Sequence, residues 1–226
     1  MNTAIIVAAG SGRRFNAEKP KQFFELAGKP VVVHTLLAFE NCACIDEIVV
    51  VVPQFETNDF TQTKEQITFG KLKAIVAGGN TRAISVLKGL KAVSPDTEIV
   101  AVHDGARPLV TPEEITRTIE KARETGAAIL VAPVTDTIKE INGDKIIETI
   151  ERTRLRRALT PQCFRVEILR RAFEEFTDLN EIATDESFLV EKLGIAVSIV
   201  EGSPRNIKIT VPDDLILADA LLKNRS

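Results

Sequence analysis

The stretch Ala8-Ala9-Gly10-Ser11-Gly12-Arg13-Arg14, with the Lys19-Pro20-Lys21 that follows it, decides the fold and function predicted for this chain. It comes directly after Thr3-Ala4-Ile5-Ile6-Val7, an apolar run typical of a strand buried on both faces of a parallel sheet. Glycines lack Cβ atoms, so several backbone N–H groups can converge on one anion. Two arginines and two lysines add more positive charge than a diphosphate needs. The stretch therefore predicts a triphosphate site whose charge is held through a reaction.

Two common phosphate-binding fingerprints do not match this loop. A Walker A loop places Gly-Lys-Ser/Thr after its glycines, whereas Arg13-Arg14-Phe15 follows Gly12 here. A dinucleotide fingerprint, Gly-x-Gly-x-x-Gly, requires glycine where Phe15 stands. A P-loop ATPase and a dinucleotide-binding protein are therefore disfavoured. A basic turn without a ligand remains the alternative to a triphosphate site.

Length and charge describe an ordinary soluble protein. The 226 residues suffice for one α/β domain, and we expect a single domain over residues 1–226. The 29 Lys and Arg residues are balanced by 32 Asp and Glu, so no general basic excess favours nucleic acid. No apolar run approaches the ~20 residues of a membrane span, and no charged leader precedes the first strand. We expect a cytoplasmic protein that binds neither nucleic acid nor membrane.

The counts of cysteine, histidine and tyrosine disfavour two further classes. Cys42 and Cys44 have C-x-C spacing, unlike the C-x₂₋₄-C of zinc sites, and the chain has only two histidines. A structural metal site is therefore not expected. The chain contains no tyrosine, which removes the Tyr-Lys proton relay of many small nucleotide-dependent reductases.

Predicted strands and helices alternate along the chain, as in a Rossmann-like, three-layer α/β/α fold with a mostly parallel sheet. Beyond the first strand, we predict strands over 46–52, 73–77, 98–103, 127–132 and 195–200. We predict helices over 30–39, 81–92, 112–125 and 165–176, a polar helical connection over 56–69, and further helices that open at Thr184 and at Pro212. Pro30 and Pro112 are expected at the first helical position, with Thr111 as an N-cap.

Polar residues follow two of these strands where the carboxyl ends meet. Gly78-Gly79-Asn80-Thr81-Arg82 follows 73–77, and we expect Asn80 to cap the next helix and present N–H groups near the first loop. Asp104 follows 98–103, a position suited to holding Mg²⁺ near phosphates. An aspartate there is also a common turn or helix cap.

Between residues 133 and 154 the pattern changes to that of a β-hairpin arm. Alternating residues over 137–141 and 146–150 flank Asn142-Gly143-Asp144, a hairpin turn signal. A lone hairpin is marginally stable in water. We therefore expect this arm to protrude and to pack on a second subunit.

With these segments identified, the chain resembles the 2-C-methyl-D-erythritol 4-phosphate cytidylyltransferases of the non-mevalonate isoprenoid route from end to end. The landmarks are the first loop, Pro20-Lys21-Gln22, Gly78-Gly79 with Arg82 and Ser85, His103-Asp104-Gly105-Ala106-Arg107-Pro108, Asp136-Thr137-Ile138-Lys139, Ala158-Leu159-Thr160-Pro161-Gln162, Thr184-Asp185-Glu186 and Asn206-Ile207-Lys208-Ile209-Thr210. The resemblance implies a homodimeric enzyme that binds CTP with Mg²⁺, in which the phosphate of methylerythritol phosphate attacks the α-phosphorus and pyrophosphate leaves. Because that phosphate is already anionic, fixed cations rather than a protein nucleophile are expected to carry catalysis.

The same resemblance assigns roles to individual residues. It implies that two cations stabilise the transition state, Arg14 and Lys21. It implies CTP contacts from Ala8, Ala9, Gly10, Ser11, Gly12, Arg13, Gly79, Asn80, Arg82, Ser85 and Asp104, with Asp104 also beside the metal. It implies contacts to methylerythritol phosphate from Arg107, Thr137, Arg152, Thr160 and Lys208, with Thr137 and Arg152 reaching the partner subunit's site.

Three rival functions remain open at this point. A ribitol-5-phosphate (pentitol-phosphate) cytidylyltransferase resembles the chain across the whole fold, although Arg152 and the Ala158-Leu159 before Thr160 favour methylerythritol phosphate. A non-catalytic nucleotide-binding module would not need so many cations together. A nicotinamide reductase is disfavoured by Phe15 and by the absence of tyrosine.

Overall fold

A computed structural model describes residues 1–10, 20–57, 60, 69–176 and 185–224 of the chain. The strands are β1 (Asn2–Val7), β2 (Glu25–Leu26), β3 (Lys29–Pro30), β4 (Glu47–Val52), β5 (Leu72–Ala77), β6 (Ile99–Asp104), β7 (Ala127–Pro133), β8 (Ile138–Asn142), β9 (Lys145–Ile150), β10 (Arg156–Arg165) and β11 (Ser198–Glu201). The α-helices of the described part are α1 (Val31–Glu40), α2 (Arg82–Lys91), α3 (Pro112–Thr125), α4 (Val166–Glu175), α5 (Glu186–Lys192) and α6 (Pro212–Lys223).

The central sheet has seven strands in the order β11-β7-β10-β6-β1-β4-β5. Strand β10 is antiparallel to both of its neighbours, and the remaining pairs are parallel. Strand β1 lies between β6 and β4, with Val7 opposite both Asp104 and Val51. The chain leaves β1 toward β4 and later returns to β6 on the other side. In open α/β sheets, ligands bind beyond the carboxyl ends of the strands at such a switch point.

Helices cover both faces of this sheet, which confirms the predicted three-layer fold. Alternate residues of β1 face opposite sides because side chains alternate along a strand. Ile6 packs in a core that includes residues of α1 and α3, whereas Ile5 packs in a core that includes residues of α2, α4 and α5. Both isoleucines are fully buried, as expected for a central parallel strand.

Most predicted elements are present, and three predicted details are wrong. Pro30 is the N-cap of α1 rather than its first residue. Thr81, not Asn80, caps α2, because its hydroxyl accepts a hydrogen bond from the N–H of Ile84 at 3.2 Å. The strand predicted over 195–200 begins only at Ser198. In contrast, α3 begins at Pro112 behind a Thr111 capping box, as predicted.

One predicted helix lies largely outside the described residues, and the predicted first residue of another lies outside them. Of the helical connection predicted over 56–69, residues 58–59 and 61–68 are not described, and Gln54–Glu56 before it forms one 3₁₀ turn. The helix predicted to open at Thr184 is present as α5, but Thr184 itself lies outside the described residues and Asp185 is the N-cap.

Strand β10 is the strand of the central sheet that the sequence analysis did not predict. It contains Pro161, and a proline within a run normally argues against a strand because it cannot donate to the ladder. Here the pairing of β10 with β7 shifts register between Ala158 and Gln162, around the proline. The irregularity leaves Thr160 beside the carboxyl end of β6, where its hydroxyl accepts a hydrogen bond from the N–H of Asp104.

The predicted hairpin is present as β8 and β9, which pair with each other in a separate two-stranded sheet. Gly143 adopts a φ of +60° in its turn, a conformation that glycine tolerates best. Both strands are exposed along almost their whole length. Their predicted use in dimerisation stays a prediction. Among the described residues, no helix is both long and apolar enough to span a membrane.

Candidate active site

A cavity of about 680 Å³ opens at the carboxyl edge of the sheet, beyond the end of β1. Both lysines with predicted roles, Lys21 and Lys208, line it. The predicted CTP-binding residues that line it are Ala8, Ala9, Gly10, Gly79, Asn80, Arg82, Ser85 and Asp104. Ser11, Gly12, Arg13 and Arg14 lie outside the described residues. The structure thus brings together segments that are about 200 residues apart in the sequence.

The start of the first loop is held between the ends of neighbouring strands. The N–H of Ala8 donates to the carbonyl of Val51 at 2.7 Å. A Cβ at Gly105 would lie 2.8 Å from the Ala8 Cβ, so only glycine lets the end of β6 approach this closely. The Gln22 side chain is buried and donates to the carbonyls of Ala8 and Gly10. Because Gln22 follows Lys21, it ties the lysine-bearing 3₁₀ turn to the loop.

The second glycine segment is held by the first turn of α2. The hydroxyl of Ser85 accepts from the N–H of Gly79 at 3.0 Å and donates to the carbonyl of Thr81 at 2.9 Å. Ser85 is buried, whereas Asn80 is exposed at the cavity. This segment, which the resemblance assigns to CTP, therefore has a fixed backbone and an accessible amide side chain.

Three cationic side chains converge on Asp104, the last residue of β6. Its Oδ1 accepts from Nε of Arg82 at 3.0 Å, and its Oδ2 accepts from Nζ of Lys208 at 2.8 Å and from Nε of Arg107 at 3.3 Å. Burial raises the pKa of Asp104, but the charges of Arg82, Lys208 and Arg107 outweigh it and hold that pKa well below its usual range. Asp104 is therefore ionised at neutral pH, and the cluster keeps a net positive charge.

Behind Asp104 lies a buried polar network. The hydroxyl of Thr160 shares a hydrogen bond with Nδ1 of His103 at 3.0 Å, and the amide of Asn206 donates to the Thr160 carbonyl at 2.9 Å. Burial lowers the pKa of His103 to about 3, so this ring is neutral at physiological pH. Thr160, which the resemblance assigns to the alcohol substrate, thus supports the Asp104 backbone from inside the fold.

The two predicted site residues of the hairpin do not reach this cavity within their own chain. Thr137 and Arg152 are exposed, and Arg152 donates to the carbonyl of Thr135 at the base of the hairpin. Their predicted role in a partner subunit's site stays a prediction.

Comparison with known proteins decides the family. A sequence model described as IspD, 2-C-methyl-D-erythritol 4-phosphate cytidylyltransferase, matches residues 2–224. The chain belongs to the IspD family. A Syntrophus aciditrophicus protein with that enzyme name is 46% identical over 224 residues, covering 97% of this chain and 95% of its own. A Bacillus velezensis protein of the same name is 45% identical over 223 residues, covering 98% and 96%.

A solved IspD structure gives the same result in three dimensions. It is named 4-diphosphocytidyl-2C-methyl-D-erythritol synthase, from Anaerococcus prevotii, and superimposes with a TM-score of 0.87 at 33% identity, covering 98% of this chain and 96% of its own. The family that the end-to-end sequence resemblance predicted is therefore confirmed.

Sequence reasoning gave no role to two buried residues of this IspD site. Gln22 stands directly after Lys21 in a recognised landmark, and its position beside a cation was the available signal. Glu186 accepts a hydrogen bond from Arg82, although the sequence analysis named it only within the landmark Thr184-Asp185-Glu186. Among the described residues, no group of three or more His, Cys, Asp or Glu side chains is arranged to hold a metal ion.

Proposed function

We propose that this protein transfers CMP from CTP to 2-C-methyl-D-erythritol 4-phosphate, giving 4-diphosphocytidyl-2-C-methyl-D-erythritol and pyrophosphate. The observation that carries the proposal is the cation-rich cavity at the switch point, in a chain of the IspD family. Lys21, Arg82 and Lys208 line a space that is also bordered by the glycine loop. Both substrates are phosphate esters, and such a site suits two anions that must approach each other.

The reaction is a direct displacement at the α-phosphorus. A phosphate oxygen of methylerythritol phosphate forms a bond to that phosphorus while the bond to the bridging oxygen of pyrophosphate breaks. The attacking oxygen carries no proton at neutral pH, so the chain needs no general base. Its task is to position two anions and to stabilise the charge that gathers at phosphorus. We assign the stabilisation to Lys21 and Arg14, and the holding of the triphosphate to Arg13 and the loop amides.

A divalent cation, Mg²⁺, would bind with CTP beside Asp104. The donor chemistry fits, because Asp104 is an ionised carboxylate on the cavity wall and Mg²⁺ takes most of its ligands from substrate phosphates and water. Both Asp104 oxygens already accept from cations, which favours contact through water over direct ligation. When bound, the ion would neutralise part of the triphosphate charge.

Lys208 is proposed to act on methylerythritol phosphate rather than on CTP, together with Arg107 and Thr160. We expect Lys208→Ala to lower kcat/KM for methylerythritol phosphate while the CTP affinity in a calorimetric titration stays close to wild type. Lys91→Ala, at an exposed lysine of α2, serves as the control. Equal weakening of CTP binding would assign Lys208 to the other substrate.

The hairpin is proposed to complete the site of a second subunit, which makes the protein a homodimer. Support comes from its exposed isoleucines, Ile138, Ile141, Ile146 and Ile147, which are 37–64% exposed in one chain. An apolar surface of this kind typically marks a protein contact. In a two-fold arrangement each arm would carry Thr137 and Arg152 to the cavity of the other subunit.

One substrate matrix tests the proposed reaction. Pyrophosphate release is measured with CTP, ATP, GTP or UTP, each offered with methylerythritol phosphate or ribitol 5-phosphate. We expect release with CTP and methylerythritol phosphate well above every other pair. Preference for ribitol 5-phosphate would favour the pentitol-phosphate enzyme. Release with no pair, despite CTP binding in a titration, would favour a non-catalytic module.

A further inference from the structure

A guanidinium that bridges two carboxylates joins the cavity to helix α5. Arg82 donates through Nε to Oδ1 of Asp104 at 3.0 Å and through Nη1 to Oε1 of Glu186 at 2.5 Å. Asp104 and Glu186 come from β6 and α5, on either side of the arginine at the start of α2. Glu186 is 1% exposed and does not line the cavity, so it can act on the substrates only through Arg82.

Burial of the Glu186 carboxylate is energetically unfavourable. Its second oxygen, Oε2, is buried and has no hydrogen-bond partner among the described residues. Burial raises the pKa of Glu186, against the opposing charge of Arg82. A buried ion pair of this kind contributes little net stability compared with an apolar replacement. Fold stability alone therefore does not explain a charged side chain at this position.

The backbone of Glu186 is fixed from both sides. Asp185 caps α5, and its Oδ1 accepts from the N–H of Phe188 at 3.0 Å. Gln162 of β10 donates to Oδ2 of Asp185 at 2.9 Å and accepts from the N–H of Ser187 at 3.0 Å. These bonds anchor the first turn of α5 to the central sheet. The backbone that carries the Glu186 carboxylate is therefore fixed relative to the sheet, with the carboxylate bonded to Arg82.

The contact to Glu186 limits how Arg82 can pair with Asp104. A guanidinium that donates through Nε can add a parallel bond from Nη2, and this side-on pair would occupy both oxygens of Asp104. With Nη1 held by Glu186, Arg82 makes one bond, to Oδ1. The other oxygen, Oδ2, remains the acceptor for Lys208 and Arg107. A side-on pair would require the guanidinium to turn relative to its Nη1 contact, so the bond to Glu186 opposes that pair.

We propose that Glu186 is a positioning residue that restricts Arg82 to one oxygen of Asp104 and so keeps Lys208 in place for the alcohol substrate. The inference rests on the proposed function, in which Lys208 contacts methylerythritol phosphate. Loss of the Glu186 charge releases the guanidinium, which then takes both oxygens of Asp104 and displaces Lys208.

The test is Glu186→Gln, which keeps the shape and an acceptor oxygen but removes the charge. We expect kcat/KM for methylerythritol phosphate to fall roughly tenfold, since small misplacements of positioning groups cost up to about 10²-fold. CTP affinity and the thermal midpoint should stay near wild type. Glu186→Asp, which retains the charge, should recover part of the loss. Glu191→Gln, at an exposed glutamate of α5, is the control.

Two further measurements make the outcome decisive. In a double-mutant cycle with Arg82→Gln, the two losses should be far from additive, because Glu186 acts only through Arg82. Additive losses, a lowered midpoint with unchanged kcat/KM, or an equal loss of CTP affinity would each overturn the proposal. A crystal structure of Glu186→Gln should show Arg82 on both Asp104 oxygens. Since that readout needs no turnover, it separates failure of this inference from failure of the proposed reaction.

Discussion

The cavity and the hairpin hold their side chains in opposite ways. At the cavity, Asp104 and Gln22 are 6% and 2% exposed and are fixed by several hydrogen bonds from neighbouring elements. On the hairpin, Ile141 and Ile146 are 64% and 63% exposed, although they pair with each other between the two strands. The cavity side chains are fixed by contacts within their own chain, whereas the hairpin exposes an apolar surface.

This difference teaches how the proposed site is divided between two subunits. The cation cluster needs accurate placement, and burial in the core of one subunit provides it. In the proposed dimer the arm would supply Arg152 from the other subunit, so its contribution would depend on association. A substitution at the cavity should therefore reduce turnover in its own subunit whatever the partner is. A substitution in the arm should be compensated when the partner subunit has an intact arm.

The largest effect is expected at Lys21. Lys21→Ala should lower turnover by about 10²–10³-fold, because it removes a charge aimed at the developing negative charge on phosphorus. The thermal midpoint should change little, since the side chain lines the cavity rather than the core. Steady-state pyrophosphate release and a melting curve measure both. Lys29→Ala, at an exposed lysine nearby, is the matched control, and near-native turnover of Lys21→Ala would refute the assignment.

Subunit mixing tests whether the site is divided between two subunits. Lys21→Ala and Arg152→Ala proteins, each nearly inactive, are denatured together and refolded. If Arg152 acts in trans, one site of each mixed dimer carries both lesions and the other carries neither. Activity should then recover to about a quarter of wild type, because half of random dimers are mixed and one of their two sites is intact. Activity that stays at the level of the parent proteins would place the arm on its own subunit's site.

A smaller effect is expected when the arm loses its apolar surface. Ile141→Thr with Ile146→Thr keeps β-branched residues in the hairpin but removes the exposed methylene surface. We expect sedimentation velocity to show a monomer with unchanged helix and strand content. Ile216→Thr, at an isoleucine of α6 that is 73% exposed, is the control for a surface isoleucine elsewhere. A double variant that stays dimeric, or a monomeric wild type, would contradict the proposed interface.

Local sequence patterns predicted the elements of the fold well where one signal decides the outcome. Strand β1 is a continuous apolar run, and α3 carries Thr111 and Pro112 at its start. The sequence analysis missed strand β10 because Pro161 is a local signal against a strand. The register shift that accommodates this proline depends on pairing with β7, which local sequence does not show. The predicted N-cap of α2 was wrong by one residue. Asn80 and Thr81 are both good N-cap residues, and only the path of the backbone selects Thr81.

The candidate site was predictable as a set of residues but not as a set of contacts. The resemblance named Asp104, Arg107 and Lys208, yet their convergence on one carboxylate depends on the end of β6 meeting the segment around Lys208 at the sheet edge. The pair of Arg82 and Glu186 spans 104 positions, a separation at which no periodicity or capping rule applies. Pairs of buried charges that are far apart in the sequence leave no local pattern. The network behind the cavity could therefore be identified only from the structure.

The smallest effect is expected from the network behind the cavity, and it concerns stability. His103 is fully buried, and burial lowers its pKa to about 3, below the ordinary 6.5. Between these values the unfolded chain binds a proton that the folded chain excludes, so the free energy of unfolding should fall as the pH drops below about 6.5. One such group changes stability by about 1.4 kcal/mol per pH unit at most, or about 2–3 kcal/mol by pH 4.5.

His103→Gln should flatten this part of the pH dependence, because glutamine does not titrate. Urea unfolding of wild type and variant between pH 7 and 4.5 measures the difference in slope, whatever the baseline stability of the variant. His34→Gln is the matched control, since His34 is only partly buried and should change the slope less. Parallel pH profiles for wild type and His103→Gln would mean that the wall behind Asp104 opens to water, and the contrast between a buried cavity wall and an exposed arm would then be weaker than the structure implies.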